Sequence, residues 1–376
     1  MSPRHRRRTP LFEQAFGQLL RSASSWAELV GSLDYLHLDD NHVLHCAVLG
    51  STSPVDSLIL QKEWRGFKEI RRANDFTAFA YVRTFGKRPQ RQMSGEFAVG
   101  RWRDSQAYVV VTVATPSQIR DGLAPLLETL YPTAVKPFLS QPELHALIRA
   151  LQRRVQPDQL RIQEFTAKRR LRASARKQFE SVRDWTDVDP ESAFTEAKER
   201  NVWFSSVRFE VTRRKGADPG RWLGLQGKLS KYGEVTTSSG FDLVAENVLP
   251  TLTEITSSRV AVFTNRERTA DRDHQIHPLQ LTYDRPLLES TAHVRRLADV
   301  LRRFPHGTCT VLHGNPYLHV TLVDDVDLSS ADIWVLAENN ILVVPQLRAS
   351  HGALKRIVNH IFENFGEGAI GEAKTA

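Results

Sequence analysis

Residues 308–368 leave this chain little freedom in what it can build. The segments 308–313, 317–324, 333–336 and 341–344 are short runs rich in Val, Ile, Thr and aromatics, separated by Gly314-Asn315-Pro316 and by polar turns. Behind Ser350, the residues Leu354, Ile357, Val358, Ile361, Phe362 and Phe365 recur at helical spacing. Period-two runs closed by one period-3.6 run specify a compact α+β unit. A second helix should precede it, capped by Ser290 and carrying Val294, Leu297, Val300, Leu301 and Phe304.

The same grammar recurs upstream. Phe12, Phe16, Leu19 and Leu20 predict a helix over 10–21, and Ser25 with Glu28 opens a short second one. Runs at 43–49, 58–60, 76–85, 95–102 and 108–113 read as strands of an antiparallel meander, with Asp39-Asp40-Asn41 and Arg103-Asp104-Ser105 as turns. Thr115-Pro116 with Gln118, and Ser140 with Glu143, are capping boxes that open two closing helices. Asp189-Pro190 opens another helix, 202–212 is a strand, and 260–263 and 276–283 are further strands.

The fold class expected is therefore α+β, in two domains, each a mainly antiparallel sheet flanked by amphipathic helices. At 376 residues the chain exceeds one ordinary core. The expected division is a disordered basic arm at 1–9, an N-terminal domain at 10–156, a strand and basic connecting helix at 157–188, a C-terminal domain at 189–368, and a frayed tail at 369–376.

Charge narrows the function classes. The net charge is +8, and 39 of the 51 basic residues are arginine, a bias that GC-rich bacterial genomes also produce. Its clustering matters more. Arg6, Arg7 and Arg8 lie in the arm. Lys168, Arg169, Arg170, Arg172, Arg176 and Lys177 fall within ten residues, and Arg169, Arg172, Arg176 and Arg183 would form a stripe on one helix, beside the face of Leu171, Ala175, Phe179 and Val182. Arg213, Arg214 and Lys215 make a basic turn. Such a stripe suits a phosphate backbone, so the expectation is a non-catalytic nucleic-acid-binding protein, DNA or RNA, within a bacterial complex. A structural subunit using the same helix against an acidic protein is the interaction alternative.

The enzymatic alternative is a metal-dependent nuclease or phosphodiesterase at His313 and His319, which converge if their strands pair, with Asp324 as a carboxylate. Strand alternation, however, puts His319 and Asp324 on opposite faces. Glu196-Ala197-Lys198 has nuclease letters on a helix, where a strand is required. No phosphate-cradling or nucleophile-elbow motif occurs, and the residues imply no cofactor and no resident metal. Cys46 and Cys309 cannot build a disulfide framework and read as buried thiols of a cytoplasmic protein. No apolar run reaches the roughly 20 residues a membrane span requires.

Overall fold

A computed structural model of the chain describes residues 11–376 except 34, 37, 39–41, 62–65, 87–89, 157–158, 171–178, 201, 213–224, 269–275, 285, 315–316 and 374–376. Helices Leu11–Ser22 (α1) and Trp26–Leu33 (α2) precede strand Val43–Ser51 (β1). A short helix, Val55–Leu60 (α3), leads into Phe67–Arg72 (β2), Phe76–Phe85 (β3), Arg91–Arg101 (β4) and Ala107–Ala114 (β5). Pro116–Gln118 (α4) and Ala124–Glu128 (α5) flank a π turn, and Ala134–Val135 (β6) and Gln141–Val155 (α6) follow. Next come Gln159–Arg170 (β7), Phe179–Val188 (β8), Pro190–Glu199 (α7), Val202–Thr212 (β9), Gln226–Ser230 (β10) and Glu234–Ser239 (β11). Helices Phe241–Asn247 (α8) and Leu249–Thr264 (α9) lead to Leu279–Thr282 (β12) and Thr291–Arg302 (α10). The last elements are Gly307–His313 (β13), Leu318–Asp324 (β14), Ser330–Ala337 (β15), Asn340–Pro345 (β16), His351–Asn364 (α11) and Ala369–Glu372 (β17).

These elements form two compact units: Met1–Leu130 with Lys136–Ser257, and Tyr131–Val135 with Ser258–Ala376. The first carries an antiparallel sheet in the order β2-β3-β4-β5-β1-β11-β10-β9-β7-β8. Its core joins Leu29 and Leu33 of α2, Val109 and Val111 of β5, Leu147 and Leu151 of α6, and Phe204 and Phe209 of β9. Burying each such side chain contributes about 1.5–3 kcal/mol. Gly100 permits one close approach here, since a Cβ would lie 2.4 Å from the Trp26 ring. Both capping boxes form: Gln118 N donates to Thr115 Oγ1 at 3.2 Å, and Ser140 N donates to Glu143 Oε2 at 2.8 Å.

The second unit carries a sheet in the order β13-β14-β15-β16-β12-β17. Burial alternates residue by residue along β14 and β16. Leu318, Val320, Leu322, Ile333, Val335, Ile341 and Val343 are buried on one face, as is the Leu354, Ile357, Val358 and Ile361 stripe of α11. Ser350 caps α11 as its sequence predicts, accepting from Ala353 N at 3.1 Å.

The fold class is as expected, but several boundaries move. The first sheet runs straight through the expected domain limit at 156, because β1 pairs with β11 across residues 44–47 and 234–237. The division instead falls at Ser257, inside α9. Where a strand and a basic connecting helix are expected over 157–188, the described residues 159–170 and 179–188 are two paired strands, β7 and β8, with Ala167 opposite Val182 and Lys168 opposite Ser181. Long-range pairing of β7 with β9 over residues 159–169 overrides the local helical period. Residues 260–263 belong to α9 and 58–60 to α3, both short apolar runs that periodicity alone does not assign. The expected fraying tail forms β17, where Ile370 lies opposite Leu281. The arm at 1–9 lies outside the described residues.

Candidate functional site

Among the described residues, the predicted basic stripe does not lie on one helix face. Lys168 and Arg169 sit near the end of β7 and Arg183 sits on β8, so they are spread over two strands. Arg6, Arg7, Arg8, Arg172, Arg176, Lys177, Arg213, Arg214 and Lys215 lie outside the described residues. The described arginines of this region meet the chain's own carboxylates. Arg183 Nε donates to Glu164 Oε1 at 2.5 Å, and Arg208 Nη1 is 3.9 Å from Glu164 Oε2. Glu164 is itself buried, so one enclosed carboxylate faces two guanidinium groups. Arg169 Nη1 lies 4.0 Å from Glu180 Oε2, and Arg161 Nε donates to Asp187 Oδ1 at 2.8 Å. The Glu164 carboxylate raises the Arg183 pKa, and hydrogen bonding to Arg161 holds Asp187 below the usual carboxylate range.

The second unit brings His313 and His319 together as direct cross-strand partners on β13 and β14. Both stand on the sheet face opposite the buried one. His319 stacks on Trp334, ring centroids 3.7 Å apart and 17° from parallel. Its Nε2 is 3.3 Å from Asp332 Oδ2. Thr321 Oγ1 donates to Asp332 Oδ1 at 2.7 Å and Gln346 Nε2 to Oδ2 at 2.8 Å. The carboxylate beside His319 is thus Asp332. Asp324 lies on the buried face, accepting from Tyr131 Oη at 2.5 Å, Val326 N at 2.9 Å and Arg356 Nη1 at 3.1 Å. Fully enclosed and satisfied on both oxygens, it holds the β14–β15 turn to α11. Burial and this carboxylate push the Tyr131 phenol up. Among the described residues, no group of three or more His, Cys, Asp or Glu side chains is placed to hold a metal ion.

Sequence reasoning missed what surrounds the His319–Trp334 stack. Val323, Leu342 and Val344 lie half-buried on the same face. Of nine large apolar side chains that are exposed among the described residues, seven belong to this unit: Ile276, Leu312, Tyr317, Val326, Leu328, Leu336 and Leu347. Concentration of exposed large apolar side chains in one unit is a feature that accompanies interaction surfaces.

The strand at the sheet border shares that character. An edge strand offers unpaired backbone N–H and C=O groups, and native edges are guarded by charge, proline or shortness. β2 carries Lys68, Glu69, Arg71 and Arg72, β8 carries Glu180, Arg183, Asp184 and Asp187, and β17 is four residues long and ends in Glu372. β13, Gly-Thr-Cys-Thr-Val-Leu-His, has no charged residue and no proline. Asp325 N donates to His306 O at 3.0 Å. Antiparallel alternation then turns the Thr308 and Thr310 backbone toward β14, and that of Cys309 and Val311 outward. Burial pushes the Cys309 and Cys46 thiols up, so neither is poised as a thiolate.

No protein-family model matches the chain, and no curated protein matches it. Among solved structures it is similar to the crystal structure of DynU16, a protein of the dynemicin biosynthetic locus, at 11% identity over 58% of this chain and 94% of that one, with a TM-score of 0.14. At that score the likeness carries no argument about fold or function. No helix among the described residues is long and apolar enough to cross a membrane.

Proposed function

We propose that this protein is a non-catalytic binding protein whose second unit accepts an extended segment of a partner polypeptide, added as a strand along β13. The supporting observation is that β13 is an outermost strand without a charge or a proline, beside a face exposing Leu312, Tyr317 and Leu336. Strand addition draws affinity from main-chain hydrogen bonds and specificity from alternate side chains. Here the outward amides of Cys309 and Val311 supply the first. The exposed β13 side chains that an added strand would flank, Thr308, Thr310 and Leu312, supply the second, favouring a partner whose residues alternate in polarity.

The test is a displayed library of seven-residue peptides selected on the full chain, and on Val311→Pro. Proline at 311 removes an outward N–H while leaving the β14 ladder intact. Enriched peptides should alternate in polarity, slow amide exchange across residues 307–313, and lose binding to Val311→Pro. No enrichment, or equal binding to the variant, overturns the reading.

A second reading, nucleic-acid binding through the first unit, is supported by charge alone. The second unit holds 13 basic and 14 acidic residues, so the whole positive surplus belongs to the first. A gel-shift titration with DNA and RNA at low salt checks it. The absence of any shift discards it.

A further inference from the structure

The outer edge of β13 is symmetric about its own centre. The hydrogen bond between Asp325 N and His306 O sets the phase of the strand, so Gly307, Cys309 and Val311 turn their backbone groups away from β14. The pairing register with β14 shifts between Val311 and His313, and the regular ladder ends at Val311. Three outward residues remain, evenly spaced about Cys309. Hydrogen bonds across a new antiparallel pair form only where outward residues meet outward residues. A two-fold axis through Cys309 matches all three at once: Cys309 lies opposite Cys309 of a second copy, and Gly307 opposite Val311. An axis through Thr310 leaves Gly307 without an outward mate in the regular ladder.

The side chains agree with that register. On the solvent side, exposed Thr308 and Thr310 meet as two Thr–Thr pairs, a combination that stabilises antiparallel sheets. On the core side, Cys309 and Val311 are only half-buried, whereas their β14 partners Leu322 and Val320 are fully buried. A second copy extends over Cys309 and Val311 the cover that β14 already has. β13 carries no charged residue, so no like charges meet across the axis.

We propose that two copies of this chain associate edge to edge through β13, as an isologous antiparallel pair centred on Cys309. The proposal rests on the reading of β13 as an open edge and names the polypeptide that takes it. A ladder over residues 307–311 is small beside the roughly 1,200 Å² that stable complexes bury. The pair is therefore weak, and in dilute solution the edge stays open.

The experiment joins sedimentation of the full chain, from micromolar to millimolar concentration, with cysteine trapping in oxidised glutathione. Thr308→Cys and Thr310→Cys are made separately in a Cys309→Ser background. Mixed, the two should yield a disulfide-linked dimer, because residue 308 faces residue 310 in a close, non-hydrogen-bonded pair. Either alone should yield roughly tenfold less, since identical positions then sit on the diagonal. Trapping of Thr310→Cys alone would move the axis to Thr310 and overturn the register, and equal trapping in every sample would mean random collision and overturn the pair. The native chain should grow toward a dimer with concentration, and Val311→Pro should stay monomeric. A native chain that stays monomeric at millimolar concentration overturns the proposal. Peptide selection on β13 reports separately: enrichment beside a monomeric chain keeps the open edge and removes only the second copy.

Discussion

The two units solve one problem, ending a sheet in water, in opposite ways. In the first unit the outermost strands β2 and β8 each carry four charged residues, and the β8 arginine is tied to Glu164 at 2.5 Å. In the second unit β13 ends the sheet uncharged, and Leu312 on it and Tyr317 at the start of the next strand are exposed. The difference teaches where a partner fits. Ion-paired edges resist strand addition, whereas a bare edge beside an apolar face invites it. Arginine abundance alone points to the first unit, where Arg161, Arg169 and Arg183 meet the chain's own carboxylates.

The units also handle buried charge differently, and the largest effect expected from a substitution lies there. Arg356→Ala strips Asp324 of its cation while leaving it enclosed, so unfolding free energy should fall by about 3–5 kcal/mol, read from urea denaturation. A loss as small as that of an exposed pair would mean Asp324 is not a buried anchor. In the first unit, burial holds His45 down to about 4. The native imidazole is then neutral where the unfolded one, near 6.5, takes a proton. Stability is therefore flat above pH 6.5 and falls as pH drops from 6.5 to 4, by about 3 kcal/mol in all. Subtracting the pH profile of His45→Leu isolates that slope, and an unchanged slope in the variant would refute it.

Smaller effects sharpen the contrast of edges. Val311→Pro should change stability by less than about 1 kcal/mol, because only an outward N–H is lost, yet it should abolish peptide addition. A large destabilisation would mean that the Val311 amide faces β14. Arg183→Ala leaves the buried Glu164 carboxylate with Arg208 at 3.9 Å, so it should lower the denaturation midpoint, by less than Arg356→Ala, while leaving any salt-dependent nucleic-acid affinity unchanged. A clear loss of such affinity would return weight to the first unit.

Much of the fold is legible in the residues because the signals are local. The capping boxes at Thr115 and Ser140, the cap at Ser350 and the alternation along β14 each rest on a few neighbouring side chains. What escapes is long-range. The stretch 166–183 has a helical period and basic composition, but residues 159–169 are held as a strand by β9, some forty residues downstream. That β13 is an edge cannot be read either, since strand order is a property of the sheet. The spacing of His313 and His319 across Gly314-Asn315-Pro316 is compatible with the cross-strand pair they form, whereas Asp332 as the carboxylate beside His319 requires the β14–β15 register.

The most direct measurement is residue-resolved amide exchange across β13 in the full chain, with and without a selected alternating peptide. Free, Cys309 and Val311 should exchange fast while Thr308 and Thr310 are protected; bound, all four should be protected, and Val311→Pro should prevent the change. Protection of Cys309 and Val311 in the free chain, or no response to any peptide, would contradict an open edge on the second unit.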